Sequence, residues 1–416
     1  AYADGASQTS QVWLDHQVVE QAGDLLLSWD SVEGLFPEGL VSAMFEAYLG
    51  LVDAFIDSAD VDAIPADVAL PAAQQDSRAR VNAVPSLAPQ ANALHVEFFA
   101  RAAKQPAAVA LRWGLPGASE SGSLTYGQLA ERALRLARHL QQNGVRRGDA
   151  VAVSMPKGPD QVIAVLGTLA TGASYIPIGV DQPTARIERI TRTVQPRLVL
   201  NSLPDLNDLD PLPEPAPTEA SETAYTIFTS GSTGEPKGVQ MSHRAAWNTI
   251  ADINARFGIT KADRVLSISA LEFDLSVYDI FGLLAAGGEV ICALEHQRRD
   301  PDEWHDLVRH HGVTVWNTVP QLLDMYVTAA AWHPDTSSSL RIAFVSGDWV
   351  PLDLADRLAH SAPSARLIAM GGATEAGIWS NFYPVADGIA GWASVPYGTP
   401  LGGQTFRVVD GVGRDC

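Results

Sequence analysis

Short apolar runs alternate with helical patterns through most of the chain. Each apolar run has the length of one buried strand, and in chain order they read AVAVSM, YIPIGV, LVLNSL, AYTIFTS, RVLSISA, EVICAL, VTVWNTV, RIAFVSG and RLIAMGG. Amphipathic helical patterns such as YGQLAERALRLARHLQQNG accompany them. Strands that alternate with helices form parallel sheets covered by helices on both faces. The pattern therefore predicts an α/β fold.

The part of the chain upstream of these runs has a different character. Helical spacing after a Pro-Glu-Gly start predicts an amphipathic helix whose apolar face carries Leu40, Met44, Tyr48 and Leu51. Residues 64–94 are rich in Pro, Ala, Gln and Asp without a sustained period, which is typical of a linker. We therefore expect one unit over residues 1–63 and another over residues 95–416. The acidic, Pro-rich segment 203–222 is predicted to be a surface loop.

Composition excludes several classes of partner. The net charge of −20 and the pI of about 4.8 give a field that repels nucleic acid and anionic lipid, so we expect neither as a partner. No apolar stretch approaches the roughly 20 residues of a membrane span. Cys292 and Cys416 have no CxxC spacing, which favours a reducing compartment and disfavours zinc or disulfides. A cytoplasmic protein is the expectation.

One strand candidate runs into a loop that is suited to phosphate. Residues 225–239 read YTIFTSGSTGEPKGV, so glycines and hydroxyls follow the strand and Lys237 closes the loop. Backbone N–H groups, hydroxyls and a lysine together form a phosphate cradle at the carboxyl end of a strand. It is not a Walker loop, because Pro236 stands where that motif needs glycine. A solvated Ser/Gly loop between strands is the alternative.

Five motifs in family order extend this interpretation across residues 95–410. TSGSTGEPKG resembles the phosphate loop of the adenylate-forming enzymes. LTYGQLAERA at 124–133 and LATGASYIPIGVDQP at 169–183 resemble the first two core motifs of nonribosomal peptide synthetase adenylation domains. FDLSVYDIFG at 273–282 is similar to their substrate-anchoring motif, and GGATEAGIWS at 371–380 to their nucleotide-binding motif. The resemblance implies the large N-terminal subdomain of the adenylate-forming fold, with parallel-rich sheets flanked by helices.

The resemblance also implies a reaction and its nucleotide site. An amino acid would be activated with ATP and Mg²⁺ to an aminoacyl adenylate and then loaded onto phosphopantetheine of a separate peptidyl carrier domain. The implied catalytic residues are Thr229, Lys237, Thr374 and Glu375, of which Thr374 bonds the α-phosphate and Glu375 holds the metal. The nucleotide site comprises Thr229, Ser230, Gly231, Ser232, Thr233, Gly234, Lys237, Gly347, Gly371, Gly372, Ala373 and Thr374.

Two of these assignments have structural alternatives, and one position departs from the family. Lys237 can also be read as a solvated surface lysine, and Glu375 as a carboxylate at a helix start. The family usually places a tyrosine against adenine where this chain has Gly371. We therefore expect backbone contacts to replace stacking at Gly371.

The amino-acid pocket follows from the same resemblance. Asp274 would pair with the substrate ammonium, since an unpaired buried charge is costly. The implied lining is Asp274, Leu275, Tyr278, Asn317, Phe344, Ser346, Met370, Ile378 and Trp379. This set resembles the cysteine-selecting pattern of thiazoline-forming modules, which usually has leucine at the positions of Phe344 and Met370. Cysteine is the expected substrate, with serine or an α-methylated cysteine or serine left open. The apolar members also fit ordinary core positions.

The upstream segment resembles a second family. SQTSQVWLDHQVVEQAGDLLLSWD is similar to the last motif of heterocyclization domains, with thirteen residues between Asp15 and the Trp29–Asp30 pair and Ser10 in place of the usual proline. Asp15 matches an aspartate that this family uses in cyclodehydration, whose partners would precede residue 1. We expect Asp15 and its helix to be a docked remnant without ring closure, belonging to an upstream heterocyclization domain.

The chain ends at FRVVDGVGRDC, before the later adenylation motifs. We therefore expect an incomplete core subdomain, without the C-terminal subdomain and its lysine, that adenylates slowly. One alternative function is an acyl- or aryl-CoA ligase, which Asp274 disfavours because such acids have no amine for it to bind. Another alternative is a non-catalytic docking scaffold. Pyrophosphate exchange into ATP, run on this chain and on an extended version, separates the three.

Overall fold

The computed structural model describes residues 12–58, 70–85, 92–230, 236–333, 338–385 and 391–415. The chain forms two compact units. The smaller comprises residues 1–80 and 407–416, and the larger comprises residues 81–406. Among the described residues, no helix is long and apolar enough to cross a lipid bilayer.

The smaller unit begins with an antiparallel hairpin of β1 (Leu14–Gln21) and β2 (Asp24–Ser31). Its two-residue loop has positive φ at Ala22 (56°) and Gly23 (92°). Such loops match the right-handed twist of the paired strands. The helix expected around Asp15 is therefore wrong, because Asp15 lies on β1 and pairs with Asp30.

The predicted amphipathic helix is confirmed as α1 (Leu40–Asp57). Its aromatic face packs on the hairpin of the same unit. The ring of Tyr48 stacks on Trp29 with centroids 5.6 Å apart and meets His16 edge-on at 5.0 Å. The period of the apolar residues thus identified the packed position of Tyr48, whereas Met44 on the predicted face is exposed.

The predicted linker contains a helix that the sequence did not indicate. This helix, α2 (Ala72–Asn82), has the sequence AAQQDSRARVN. Alanine, glutamine and arginine favour helices, but the segment has no apolar stripe to signal one. The role of residues 64–94 as a linker stays a prediction.

The strands of the larger unit include every predicted apolar run. In chain order they are β3 (Val109–Trp113), β4 (Gly122–Thr125), β5 (Ala150–Val153), β6 (Ser174–Pro177), β7 (Leu198–Leu200), β8 (Thr223–Ser230), β9 (Pro236–Ser242), β10 (Arg264–Ser267), β11 (Glu289–Cys292), β12 (Val315–Thr318), β13 (Ile342–Val345), β14 (Arg366–Gly371), β15 (Asn381–Val385) and β16 (Thr399–Pro400). All nine strand predictions are confirmed. The segment 203–222 contains neither helix nor strand, as predicted.

The helices of the larger unit lie mostly between these strands. They are α3 (Val96–Lys104), α4 (Tyr126–Gln142), α5 (Pro159–Ala170), α6 (Thr184–Val194), α7 (His243–Arg256), α8 (Leu275–Val277), α9 (Leu283–Ala286), α10 (Pro301–His311), α11 (Pro320–Ala330) and α12 (Leu354–Ser361). A π-helical turn, Tyr278–Gly282, joins α8 to α9. Such turns are frequent at functional sites.

Two sheets form the centre of the larger unit. The nine-stranded sheet has the order β16-β15-β14-β13-β12-β10-β11-β3-β4, and the five-stranded sheet has the order β7-β5-β6-β8-β9. Most neighbouring strands run parallel. The exceptions are antiparallel pairs at the ends of these orders: β3 with β4, β8 with β9, β14 with β15, and β15 with β16. The predicted parallel-rich α/β fold is confirmed.

Helices cover both faces of the large sheet. On β13, Ile342 and Phe344 belong to one buried cluster, whereas Ala343 and Val345 belong to another. The first cluster includes α7 residues and the second includes α10, α11 and α12 residues. Because successive side chains of a strand point to opposite faces, β13 is buried on both sides. Burial on both faces explains why the sequence of β13 is apolar throughout.

Candidate active site

Asp274 and Thr374 lie together although a hundred residues separate them. Asp274 precedes α8, and the Thr374 hydroxyl hydrogen-bonds its carboxylate. Burial raises the pKa of Asp274 to about 6, and the Glu375 charge adds to the rise, although the bonds from Thr374 and the Leu275 N–H lower it. A cation bound beside Asp274 would therefore favour the charged form of this carboxylate.

The GGATEA segment lies at the end of β14. Its 3₁₀ turn, Thr374–Ala376, contacts β9, the strand that carries Lys237. Gly372 has a φ of 151°, and a Cβ there would lie 2.9 Å from the Trp379 Cα. The close approach therefore requires glycine. The structure thus places Thr374 and the exposed Glu375 beside the strand that follows the predicted phosphate loop.

The phosphate loop itself connects β8 to β9. Thr229 on β8 pairs with Lys237 on β9, so two of the four predicted catalytic residues are cross-strand neighbours. Lys237 is exposed. The predicted residues Gly231, Ser232, Thr233 and Gly234 lie outside the described residues, as does the side chain of Ser230. Their contact with phosphate stays a prediction.

Three predicted pocket residues form an aromatic cluster. The centroid of the Tyr278 ring lies 5.1 Å from that of Trp379 and 5.7 Å from that of Phe344. The Phe344 and Trp379 centroids are 5.9 Å apart. The Trp379 indole N–H donates to the Ser346 hydroxyl at 3.0 Å. The structure thus brings together three residues of the predicted pocket from three separate segments. Their contact with a substrate stays a prediction.

Asn317 adds a polar group beside this cluster. It is fully buried on β12 and pairs in register with Phe344 on β13. Its amide nitrogen donates to the Leu275 carbonyl at 3.0 Å and to Asp279 Oδ1 at 2.8 Å. Among the described residues its Oδ1 has no partner. Asn317 therefore offers a buried hydrogen-bond acceptor and no free donor.

Ile378 has an unusual backbone for a β-branched residue. Its φ is 71°, in the left-handed region. The Thr249 hydroxyl on α7 donates to the Gly377 carbonyl at 2.8 Å and lies 3.5 Å from the Trp379 carbonyl oxygen, so it supports both sides of the strained residue. Such strain concentrates at functional sites.

Ile378, Leu275, Phe344 and Met370 also belong to one hydrophobic cluster of the larger unit. Their expected role as core residues is compatible with a role in the pocket wall. The wall is therefore supported by the protein core and has little freedom to move.

A cavity of about 590 Å³ adjoins the ends of β13 and β14. The predicted residues Gly347, Met370, Gly371 and Gly372 line it together with Trp349 and Tyr397. In open α/β sheets, ligands bind outside the carboxyl ends of the strands. The cavity is therefore a candidate for part of the nucleotide.

Gly371 lies beside a residue that the sequence did not indicate, and the expected backbone contacts with adenine stay a prediction. A Cβ at Gly371 would lie 2.7 Å from Tyr397 Cε2 and 2.5 Å from Asn381 Oδ1. The Asn381 amide also donates to the Tyr397 carbonyl, which holds this tyrosine in place. The surroundings of Gly371 thus include an aromatic ring, supplied from a distant segment. Because no local pattern links Tyr397 to Gly371, only the fold shows the contact.

Glu375 is the predicted magnesium ligand, and its surroundings are compatible with one of the ways in which proteins bind this ion. The described residues contain no group of three or more His, Cys, Asp or Glu side chains that could enclose a metal ion. Magnesium is often held by one or two carboxylates together with substrate phosphates. The exposed Glu375, beside Thr374, is compatible with that arrangement.

Comparison with models of protein families matches residues 98–416 to the family described as AMP-binding enzyme. The chain belongs to the AMP-binding enzymes. Pyochelin synthetase PchE of Pseudomonas aeruginosa is 47% identical over 425 residues, which cover 99% of this chain and 29% of the relative. Phenyloxazoline synthase MbtB of Mycobacterium tuberculosis is 42% identical over 428 residues, which cover 99% of this chain and 30% of the relative. The chain thus spans less than a third of each of these two AMP-binding relatives.

Solved structures place this AMP-binding chain among adenylation domains. The AMPPNP-bound form of the nonribosomal peptide synthetase FmoA3 has a TM-score of 0.88 and 36% identity, covering 98% of this chain and 45% of that one. Its α-methyl-L-serine-AMP-bound form has a TM-score of 0.88 and 35% identity, covering 98% of this chain and 48% of that one. The fold is that of an adenylation domain's large N-terminal subdomain, and the enzyme class is that of ATP-dependent adenylating ligases.

Proposed function

We propose that this adenylation domain selects a small amino acid with a thiol or hydroxyl on its side chain, cysteine first, and activates it with ATP to an aminoacyl adenylate. The observation that carries the proposal is the buried Asn317 oxygen, which has no partner among the described residues. An unsatisfied buried acceptor costs about 1–3 kcal/mol. A donor on the substrate side chain removes that cost.

The amino end of the substrate would bind Asp274. Burial raises the pKa of this carboxylate to about 6, and an ammonium beside it would lower the pKa again and keep it charged. All α-amino acids carry this ammonium. Asp274 therefore provides affinity for amino acids in general and no choice among them.

Choice among side chains would come from two polar groups in an aromatic wall. Asn317 offers an acceptor, and Ser346 already accepts from Trp379, so its own proton is available as a donor. A thiol or hydroxyl both donates and accepts, and it matches this pair. The closely packed rings of Phe344, Tyr278 and Trp379 would limit the substrate to a compact side chain. FmoA3, a structural neighbour, has been solved with α-methyl-L-serine-AMP. That ligand of FmoA3 is small and hydroxylated.

The nucleotide would extend from the β8–β9 loop to the cavity at Tyr397. Thr229, Lys237 and the loop between them would hold the β- and γ-phosphates, and Thr374 the α-phosphate. Tyr397 would offer its ring to the base. Because Thr374 bonds Asp274 in this structure, substrate ammonium at Asp274 would free its hydroxyl for phosphate.

The reaction joins the two ligands. A carboxylate oxygen of the amino acid attacks the α-phosphorus, a new P–O bond forms, and the bond to pyrophosphate breaks. Fixed donors at Thr374, Thr229 and Lys237 would stabilise the charge on the phosphate oxygens. Magnesium held by Glu375 would neutralise further phosphate charge.

The remaining parts of the proposal concern neighbours of the domain. We assign residues 1–63 to the end of a heterocyclization domain, and a peptidyl carrier domain with phosphopantetheine would accept the product in the cytoplasm. Pyochelin synthetase PchE matches over 99% of the chain, so the likeness includes the upstream unit. Asp15 accepts a hydrogen bond from Gln17 at 2.8 Å on the same strand.

Amino-acid-dependent exchange of labelled pyrophosphate into ATP tests the proposal, with calorimetric binding as the readout if turnover is slow. Cysteine, serine and their α-methyl forms should be active. Phenylalanine, leucine and lysine should not. Preference for aryl or fatty acids without an amine would establish an acyl- or aryl-CoA ligase. Absence of both binding and exchange would establish a docking scaffold.

A further inference from the structure

The ring of Tyr278 is held by a residue that no sequence motif includes. Asn254 lies near the end of α7, in a part of the chain that carries none of the five motifs. The Tyr278 hydroxyl donates to Asn254 Oδ1 at 3.1 Å, and Asn254 Nδ2 donates to the Gly282 carbonyl at 2.8 Å. One amide therefore bonds both the first and the last residue of the π-helical turn.

These two hydrogen bonds fix the orientation of the Asn254 amide. A backbone carbonyl only accepts hydrogen bonds, so the NH₂ group is the end of the amide that suits Gly282. A reversed amide would direct its oxygen at the carbonyl oxygen, which is repulsive. The amide oxygen is therefore directed at the Tyr278 hydroxyl, which it anchors as an acceptor.

The backbone of the turn lies against the Tyr278 ring. A Cβ at Gly282 would lie 2.8 Å from Tyr278 Cε2 and 2.9 Å from Cδ2, so this contact requires glycine. The ring itself is fully buried. With its hydroxyl bound to Asn254 and its carbon atoms against Gly282, the ring is restrained at two points by contacts outside the predicted pocket.

Helix α7 supports a second ring of the same cluster. Thr249 on this helix donates to the Gly377 carbonyl, two residues before Trp379 in the chain. The Tyr278 and Trp379 centroids are 5.1 Å apart. The helix thus bonds to both segments that supply these rings. Side chains supported by helices and strands are held more precisely than side chains supported by loops.

We propose that Asn254 is a positioning residue that fixes the Tyr278 ring in the wall of the amino-acid pocket and thereby sets the size limit for the substrate side chain. The inference rests on the proposed role of Tyr278, Phe344 and Trp379 in that pocket. Asn254 acts through Tyr278 and does not contact the substrate in this scheme. A ring without its anchor yields to a larger side chain, so loss of Asn254 relaxes the size limit.

Asn254→Leu is the direct test, since leucine is similar in size and makes neither hydrogen bond. The readout is the ratio of kcat/KM in pyrophosphate exchange with 2-aminobutyrate to that with norvaline. The first has a methyl group in place of the thiol of cysteine or the hydroxyl of serine, and the second has one methylene more. Because neither side chain forms hydrogen bonds, the ratio measures the size limit separately from the proposed roles of Asn317 and Ser346.

The wild type should prefer 2-aminobutyrate about tenfold or more, as expected for discrimination by one methylene. Asn254→Leu should lower this ratio about fivefold, which corresponds to the net value of a typical hydrogen bond. Tyr278→Phe removes only the hydroxyl and should change the ratio in the same direction. Because both changes break the same hydroxyl–amide bond, the double variant should fall little further than Asn254→Leu.

Asn248→Leu is the matched control. Asn248 lies on the same helix, is half-buried like Asn254, and donates to the Gly402 carbonyl at 2.8 Å, outside the π-helical turn. Its loss should lower stability in urea unfolding and leave the ratio unchanged. If Asn254 served folding alone, its loss would have this same result, because fewer folded molecules lower both rates equally.

An unchanged ratio in folded Asn254→Leu would overturn the inference, as would a double variant whose ratio falls by the product of the two single effects. If Asn254→Leu does not fold, Tyr278→Phe decides in its place. A lowered ratio in that variant supports the inference, and an unchanged ratio overturns it.

Failure of the proposed function has a different signature. A wild type that uses norvaline as well as 2-aminobutyrate would overturn the proposed compact pocket, and with it the inference, before any variant is compared. Failure of the inference alone appears only in the variants, with the preference of the wild type intact. The two failures are therefore distinguishable.

Discussion

The indole N–H of Trp379 donates a hydrogen bond to the Ser346 hydroxyl at 3.0 Å. Both residues are buried, with exposures of 1% and 5%. The bond makes the Ser346 oxygen an acceptor and leaves its proton for a group in the pocket. In the proposed pocket, Ser346 would therefore link the aromatic wall to a donor or acceptor on the substrate side chain.

Ser346→Ala should therefore reduce both stability and selectivity. The indole N–H would lose its acceptor inside the core, which costs about 1–3 kcal/mol. Urea unfolding measures this loss. The double variant Trp379→Phe, Ser346→Ala removes both partners, so it should lose less stability than the two single changes summed. Both variants should lose the preference for serine over 2-aminobutyrate that we expect of the wild type. A retained preference would show that the hydroxyl does not contact the substrate.

Asp274→Asn should weaken binding of every amino acid alike. Removing one partner of a buried charge pair costs about 3–5 kcal/mol. Titration calorimetry with cysteine, serine and alanine measures the loss. ATP binding without amino acid serves as the control and should change little. Unequal losses among the three amino acids would contradict a role limited to the shared ammonium.

The pH dependence of amino-acid binding should reflect the titration of the Asp274 carboxyl group. Because burial raises the pKa of Asp274 from 3.8 to about 6, affinity should increase as the pH rises through about 6. The titration of Asp274 changes the free energy of unfolding in the opposite direction. The neutral carboxyl favours the folded state fully below pH 3.8, and this advantage is lost as the pH rises through about 6. Asp274→Asn should remove both effects, and a pH-dependent affinity in that variant would assign the titration to another group.

The sequence predicted the strands well because buried parallel strands are continuous apolar runs. It missed the β1–β2 hairpin, where half-exposed strands alternate with polar residues and a two-residue turn fixes the pairing. It also missed α2, whose helical tendency lies in its composition and not in an apolar period.

Some residues of the candidate site were predicted from sequence motifs, and others were found only in the structure. Tyr278, Phe344 and Trp379 came from motifs, and the structure brings their rings together. Tyr397 lies beside Gly371 through a contact between segments that are separated in sequence, and such a contact leaves no local pattern. The hydrogen bonds that leave Asn317 Oδ1 without a partner in the described part of the chain are likewise a property of the fold.

Lys237→Ala should weaken ATP binding more than amino-acid binding. Lys237 is exposed and neighbours Thr229 across the β8–β9 pair, so its loss should hardly change stability. Lys261→Ala is the control, since this lysine is exposed and outside the predicted loop. The measurement is the apparent ATP affinity in pyrophosphate exchange or calorimetry. Equal behaviour of the two variants would make Lys237 a surface lysine without a role.

Tyr397→Ala should weaken ATP binding while Tyr397→Phe should preserve it, because a base stacks on the ring and not on the hydroxyl. Base–aromatic stacking is worth about 1–3 kcal/mol, so the dissociation constant should rise about five- to hundredfold. Trp332→Ala, at an 81% exposed tryptophan, is the control for loss of a surface aromatic. ATP and inorganic triphosphate should be compared by calorimetry. Stacking requires that the loss appear with ATP and not with triphosphate, whereas equal losses would mean that Tyr397 supports the phosphate site.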